Sequence, residues 1–193
     1  MATRTVVEGV TLERRKRFSE TYFGEWVTTT DHKKLGIMYI VTAFFFFLVG
    51  GTEALLVRTQ LAVPDGKVLS PEQYNQIFTM HGTTMIFLFV MPMLVGFGNY
   101  IVPLMIGARD MAFPRLNAFG YWVILFGGLF LSSSFLFGQA PNDGWFSYAP
   151  LTELTSQCGN AVVCTPGLNM DLWALGILML GISSISGATF FGK

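Results

Sequence analysis

The chain has 193 residues, of which 52% are hydrophobic and only 12% are charged, and its mean hydropathy is +0.52. Soluble domains carry about 25% charged residues, so this composition excludes an ordinary soluble domain and indicates an integral membrane protein. The formal net charge of zero argues against a nucleic-acid partner.

The first segment of the chain, residues 1–34, is a predicted cytoplasmic tail, and residues 35–193 form the predicted membrane domain. The opening stretch, MATRTVVEGVTLERRKRFSE, is basic. It has no hydrophobic core or cleavage site directly behind it, so it is not predicted to be a signal peptide.

Four segments are long and apolar enough to cross a bilayer, which takes about 20 mostly apolar residues. These four spans run from about Leu35 to Arg58, Gln76 to Ile106, Leu116 to Phe137, and Asp171 to Lys193. Lysine and arginine cluster before the first span and between the second and third. The positive-inside rule therefore places the N-terminus in the cytoplasm. The predicted fold class is all-α, with four transmembrane helices.

The loop between the third and fourth spans faces outward in this orientation. It holds both cysteines, Cys158 and Cys164, in the stretch TSQCGNAVVCTPG. An oxidising compartment would permit a disulfide between them, and two free thiols are the alternative. Their spacing leaves both readings open.

One of the two histidines, His81, lies at the start of the apolar run FTMHGTTMIFLF. Polar groups at membrane depth are costly, so each one calls for an explanation. One reading is a histidine hydrogen-bonded to a neighbouring helix, and the other is a metal or haem ligand through neutral imidazole. Gly50 and Gly51 open the facing part of the first span, where small residues let a bulky group or another helix approach. Position alone does not decide between the two.

Two charged residues lie toward the outer end of the first span. Arg58 either extends to the lipid headgroups or donates to an anionic or carbonyl group of a bound cofactor. Glu53 lies five residues deeper and does not share a helix face with Arg58. No ion pair is therefore predicted between them.

Polar residues also collect toward the inner side. Asp110 lies between two arginines in the stretch GNYIVPLMIGARDMAFPRLN, Asn99 and Asn117 flank it, and Tyr39 lies near the inner end of the first span. A carboxylate with amides and hydroxyls above it has the composition of a water-filled proton uptake path. A loop salt bridge with amide caps is the alternative.

Four further residues interrupt the apolar spans. Ser183 and Ser184, in the fourth span, would either continue a wet path or help the helices to pack. Pro92 and Pro103 lie within the second span. A proline there bends the helix and frees a backbone carbonyl, which a neighbouring group must satisfy.

Three stretches, TTTDHKKLGIMY, MHGTTMIFLFVMPMLVGFGNYIVPLMIGARDMAFPRLN and GWFSYAPL, strongly resemble the N-terminal part of subunit I of haem–copper terminal oxidases of the cytochrome c oxidase type. The resemblance covers nearly everything from about Thr28 onward. It implies that the four helices are the first part of a twelve-helix subunit I bundle. It also implies a bacterial-type plasma (inner) membrane.

The resemblance implies a haem site in the outer half of the membrane. His81 matches an axial ligand of the low-spin haem a iron, and Arg58 matches the arginine that hydrogen-bonds the haem a formyl group. Gly50 and Gly51 would leave room for the cofactor. The iron needs neutral imidazole, so the other ring nitrogen of His81 should donate to a fixed acceptor.

The resemblance also implies a proton path, known in this family as the D pathway. Asp110 matches the carboxylate at its entrance, and Asn99 and Asn117 match asparagines just inside. Tyr39 matches a tyrosine near the entrance, and the serine pair farther in corresponds to Ser183 and Ser184. One departure adjoins the entrance, because Arg109 stands where the family usually has proline.

The complete subunit would also hold haem a3 and the copper ion CuB. These need a second axial histidine for the low-spin haem, one histidine for the high-spin haem and three for copper. This chain has only His32 and His81, and His32 lies in the polar inner segment TTDHKKLG, from which it cannot reach the outer half of the membrane. No catalytic residue is therefore predicted here. A truncated subunit and a genuinely split subunit are both consistent with this count.

The function implied is the N-terminal part of a proton-pumping cytochrome c oxidase, which passes electrons from cytochrome c to O2 and forms water. The partners implied are the remaining subunit I helices, oxidase subunits II and III, cytochrome c as donor and the lipid bilayer. A quinol oxidase subunit I is one alternative. A non-catalytic, haem-binding scaffold is another.

Overall fold

The computed structural model describes residues 6–7, 10–11, 21–137, 140–148 and 168–187. Within them, four helical segments are long and apolar enough to cross a membrane, as the sequence predicts. The elements, in chain order, are β1 (Val6–Val7), β2 (Val10–Thr11), α1 (Tyr22–Val27), α2 (His32–Gln60), α3 (Pro71–Thr83), a π-helical segment (Thr84–Val90), α4 (Met91–Met105), α5 (Pro114–Ser132), a 3-10 segment (Ser133–Phe137) and α6 (Leu168–Gly187). The two cysteines, Cys158 and Cys164, lie outside the described residues.

The segment before the first membrane helix contains short regular elements. β1 and β2 pair antiparallel, with Val6 opposite Thr11. The hydroxyl of Thr21 caps α1 by accepting from the backbone N–H of Gly24 at 3.1 Å. A salt bridge from Lys34 to Glu25 then ties α1 to the first turns of α2. This short helix is an addition to the sequence prediction, which treats the segment as a polar tail.

The first span is the single 29-residue helix α2. Asp31 begins it, because its carboxylate accepts from the backbone N–H of Lys33 at 2.9 Å. Its large exposed side chains include Phe44 and Phe45, and lipid-facing positions of a spanning helix are apolar in this way. Its buried face carries Leu35 and Tyr39, and this face directs α2 toward the other helices.

The second span is built from three consecutive pieces, α3, the π-helical segment and α4. α3 begins with a capping box in which Ser70 and Gln73 satisfy each other's backbone N–H groups. The π-helical segment ends at Val90, two residues before Pro92, and the N–H of Met91 bonds five residues back to the carbonyl of Ile86. A proline ring clashes with the carbonyl four residues before it, so a locally widened helix accommodates Pro92.

The helices cross where glycines let their backbones approach closely. At the α2–α4 crossing, a Cβ on Gly36 would lie 3.0 Å from the carbonyl oxygen of Gly96. At the α5–α6 crossing, a Cβ on Gly176 would lie 2.9 Å from the Cβ of Leu131. Lipid tails give helices no hydrophobic reason to associate, so close packing of this kind carries much of the association.

Substitutions in α6 test this packing, because it contains a crowded and an open glycine. Gly176→Ala should destabilise the chain by about 1 to 3 kcal/mol, since its new methyl group meets Leu131. Gly181→Ala is the matched control, because no atom lies within 4 Å of its added Cβ. Removing a helix-interior glycine there should stabilise by up to about 1 kcal/mol. Unfolding titrations in mixed micelles measure both, and equal effects would contradict the crossing.

Candidate functional site

The two polar sites are named outer and inner after the orientation that the sequence predicts, and the outer one is centred on His81, in α3. Its Nδ1 lies 2.9 Å from the backbone carbonyl oxygen of Gly50, in α2. A carbonyl oxygen only accepts hydrogen bonds, so Nδ1 carries the ring proton when the imidazole is neutral. The lone pair of the half-buried ring is then on Nε2. This geometry provides the fixed acceptor that the sequence-based hypothesis requires for an iron ligand.

Glycines shape the space around this histidine. A Cβ on Gly50 would lie 2.8 Å from the sulfur of Met85, so the missing side chain lets Met85 pack directly against the α2 backbone. Cβ atoms on Gly51 and Gly82 would meet no atom within 4 Å. Open space therefore adjoins the residue that follows Gly50 and the residue that follows His81. An imidazole with a free Nε2 fits the requirements of a haem ligand.

The two charged residues at the outer end of α2 are not brought together. Arg58 is exposed, and the ion pair found within the described residues does not involve it. Glu53 is buried, and its Oε2 has no hydrogen-bond partner among the described residues. Arg58 lies eight residues beyond Gly50, about 12 Å along the helix, so its side chain would have to extend toward a cofactor at His81.

The two asparagines of the inner site meet between α4 and α5. The Nδ2 of Asn117 donates to the Oδ1 of Asn99 at 2.9 Å, and both side chains are almost completely buried. The remaining polar atoms, Nδ2 of Asn99 and Oδ1 of Asn117, have no partner among the described residues. Buried water molecules in proteins form hydrogen bonds with polar atoms that lack a protein partner in this way.

Asp110 lies in the short loop between α4 and α5. A Schellman turn ends α4, in which Gly107 has a φ of +69° and the N–H of Ala108 bonds to the carbonyl of Pro103 at 2.9 Å. The carboxylate of Asp110 is exposed and accepts from the backbone N–H of Met111 at 2.8 Å. It lines an open cavity of about 300 Å³ that reaches Pro103, one turn below Asn99.

A second inner cluster lies between α2, α5 and α6. The hydroxyl of Ser183 donates to the carbonyl of Gly120 at 2.7 Å, and Ser183 also interacts with the buried Tyr39. Ser184, in contrast, is exposed. The structure thus groups Ser183 with Tyr39 and does not bring Ser184 into that cluster.

Two residues of these sites are absent from the sequence-predicted set. Ser186 bonds to the carbonyl of Ser183 at 2.7 Å and occupies the space left by the missing side chain of Gly120. Its spacing of three residues from Ser183 places it on the same helix face, and that spacing is a usable signal. His32 is fully buried against α4, although the polar segment around it suggests a surface position.

The arrangement defines a multi-pass helical membrane protein with a candidate haem ligand toward one side and a polar cluster toward the other. A model of the family described as cytochrome c and quinol oxidase polypeptide I matches residues 34–193. The chain belongs to this family.

Individual relatives agree with this assignment. The chain is 48% identical over 168 residues to a Streptomyces avermitilis protein named "Probable cytochrome c oxidase subunit 1-alpha", covering 86% of this chain and 28% of the relative. It is 48% identical over 163 residues to "Cytochrome c oxidase subunit 1" of Corynebacterium glutamicum, covering 84% and 26%. It is 46% identical over 179 residues to the protein of the same name from Bacillus subtilis, covering 92% and 27%. The chain thus spans little more than a quarter of the length of these relatives.

Substitution of an asparagine tests the inner pair. Asn117→Ala should destabilise the chain by about 1 to 3 kcal/mol, because it leaves the buried Oδ1 of Asn99 without its donor. Asn75→Ala is the control, since Asn75 is an exposed asparagine of α3 and its substitution should change stability by less than about 0.5 kcal/mol. Unfolding titrations report both, and a neutral Asn117→Ala variant would argue against the bonded pair.

Proposed function

We propose that this chain is the N-terminal part of subunit I of a proton-pumping cytochrome c oxidase, with residues 1–34 as its cytoplasmic tail and residues 35–193 as its first four membrane helices. In this role it supplies one ligand of the low-spin haem a and the entrance of a proton path. The family description includes quinol oxidases, but the relatives named above are cytochrome c oxidases. We therefore take cytochrome c as the electron donor and O2 as the acceptor.

The haem assignment is supported most strongly by the single hydrogen bond from His81 to Gly50. It holds the ring, fixes the proton on Nδ1 and leaves Nε2 for iron. We propose that the open positions at Gly51 and Gly82 face the cofactor. Haem bound here would supply one-electron transfer. Arg58 would donate to the formyl group at its edge. The second axial ligand, haem a3 and CuB belong to the remaining subunit I helices.

Conservative substitution of His81 distinguishes the ligand from a histidine that only joins helices. His81→Asn keeps an N–H donor near the position of Nδ1 and removes the iron-binding nitrogen. In the complete complex, His81→Asn and His81→Ala should both lose the low-spin haem a band in a reduced-minus-oxidised spectrum. Asn75→Ala should retain the band.

The same two variants also test the alternative, in which His81 is not a haem ligand. If His81 only joined α3 to α2, His81→Asn would keep the band and His81→Ala alone would weaken it through loss of packing. An intact band in both variants would remove His81 from the haem site altogether.

The proton-path assignment rests on the inner residues taken together. Asp110 is an exposed carboxylate on a cavity that reaches Pro103, and the buried asparagine pair lies one turn above with two unpaired amide atoms. Tyr39, in α2, and Ser183, in α6, form a further pair of bonded hydroxyl groups. We propose that protons enter at Asp110 and pass along water held by these groups. Ser184 is exposed on α6, so it would belong to the path only if the remaining subunit I helices cover that face of α6.

The orientation of the chain follows from the same assignment. Lys33 and Lys34 lie in the first turn of α2, Arg109 follows α4 and Arg115 lies in the first turn of α5, so these four basic residues share the side of Asp110. We propose that this side is the cytoplasm of a bacterial-type cell and that the chain lies in its plasma membrane. Oxidase subunits II and III would be its partners there.

Removal of the Asp110 charge tests the proton entrance. Asp110→Asn should slow proton-coupled O2 reduction by the complete complex about tenfold or more, because a positioned proton-transfer group contributes at least that much. The low-spin haem band should stay intact. Asp65→Asn, in the exposed outer loop, is the matched control and should leave turnover unchanged. Unchanged turnover and pumping in Asp110→Asn would contradict the role of Asp110.

A further inference from the structure

Pro103 leaves one backbone group of α4 without its usual partner. In an α-helix the carbonyl of each residue accepts from the N–H four residues later. For Asn99 that residue is Pro103, which has no N–H. Both residues are buried, so water is not freely available to the carbonyl. A buried carbonyl without a donor destabilises the folded chain, so another donor is expected near it.

His32 provides a donor for this carbonyl. Its Nδ1 lies 3.0 Å from the backbone oxygen of Asn99, 67 residues away in the chain, and only 2% of His32 is exposed. The carbonyl can only accept, so Nδ1 carries the proton. A metal ligand is not indicated here, because no group of three or more candidate ligands occurs in the part of the chain that the structure describes.

The same residue, Asn99, carries the side chain that pairs with Asn117. Its Oδ1 accepts from Asn117 while its main-chain oxygen accepts from His32. The two bonds hold Asn99 from two sides, with α2 on one and α5 on the other. Its Nδ2, which has no partner among the described residues, is thereby held in one orientation.

We infer that His32 is a positioning residue that replaces the missing N–H of Pro103 and thereby fixes the Asn99–Asn117 pair. The hydrogen bond itself is independent of what the protein does. Its consequence, a fixed amide pair above Asp110, rests on the proposed function. Loss of the bond would free the α4 backbone at Asn99 and misplace the groups that hold water there.

A double-mutant cycle separates this role from ordinary core packing. Pro103→Ala restores an N–H that can donate to the carbonyl of Asn99, so His32 becomes dispensable for that carbonyl. His32→Leu should raise the unfolding equilibrium constant of the chain about fivefold to tenfold with Pro103 present. In the Pro103→Ala background the same substitution should change it less than about twofold. Additive effects would overturn the inference, because a histidine that merely fills space gives the same cost in both backgrounds.

A conservative variant adds an independent check. His32→Asn keeps an amide donor near the position of Nδ1, so it should retain most of the stability that His32→Leu loses. If His32→Leu does not fold alone, the variant that also carries Pro103→Ala should fold. Failure of the second substitution to restore folding would overturn the inference.

Turnover of the complete complex tests the consequence for proton uptake. His32→Leu should slow proton-coupled O2 reduction, whereas His32→Asn and the combined His32→Leu/Pro103→Ala variant should retain it, all with an intact low-spin haem band. Slow turnover in the combined variant would overturn the positioning role. Unchanged turnover in the Asp110→Asn enzyme would instead refute the proposed function. It would not contradict the energetic coupling between His32 and Pro103.

Discussion

Hydrocarbon offers no water to a backbone carbonyl or an imidazole, so both must find partners inside the protein. Each of the two histidines of this chain forms a hydrogen bond with a backbone carbonyl of another helix. His32, in α2, bonds to Asn99 in α4, and His81, in α3, bonds back to Gly50 in α2. The first and second spans are therefore joined by two histidine-to-carbonyl bonds, one in each half of α2. Each bond places the ring proton on Nδ1, and at His81 this leaves Nε2 for a ligand role.

The prolines of the second span determine where these bonds can form. Pro92 widens the helix into a π-helical segment after His81, and Pro103 removes the donor for Asn99. His81 and Asn99 lie 18 residues apart, which is about 27 Å along a helix and close to the thickness of the hydrocarbon layer, about 30 Å. One span thus carries the proposed haem ligand toward one side of the membrane and the asparagine of the proposed proton path toward the other.

Much of this arrangement is readable from the sequence, because hydropathy and helix length are local properties. The four spans follow from apolar runs, and the family follows from the long motif around His81. The presence of Pro103 also predicts that a neighbouring group must satisfy a freed carbonyl. Its identity could not be predicted, because His32 is 67 residues from Asn99 and only the packing of α2 on α4 brings them together. The same holds for Ser183 and Ser184, since the rotation of α6 alone decides which of them is buried.

The most direct measurement is the position of the ring protons in a chain labelled with 15N in its histidine rings and 13C at its backbone carbonyls. All four ring-nitrogen signals then come from His32 and His81. At a pH well above the ordinary imidazole pKa, nitrogen spectra of the haem-free chain in lipid distinguish a protonated from an unprotonated ring nitrogen. We expect the proton on Nδ1 in both residues, with hydrogen-bond couplings to the carbonyl carbons of Asn99 and Gly50. A neutral ring with its proton on Nε2 instead would contradict the hydrogen bond from that histidine to its carbonyl.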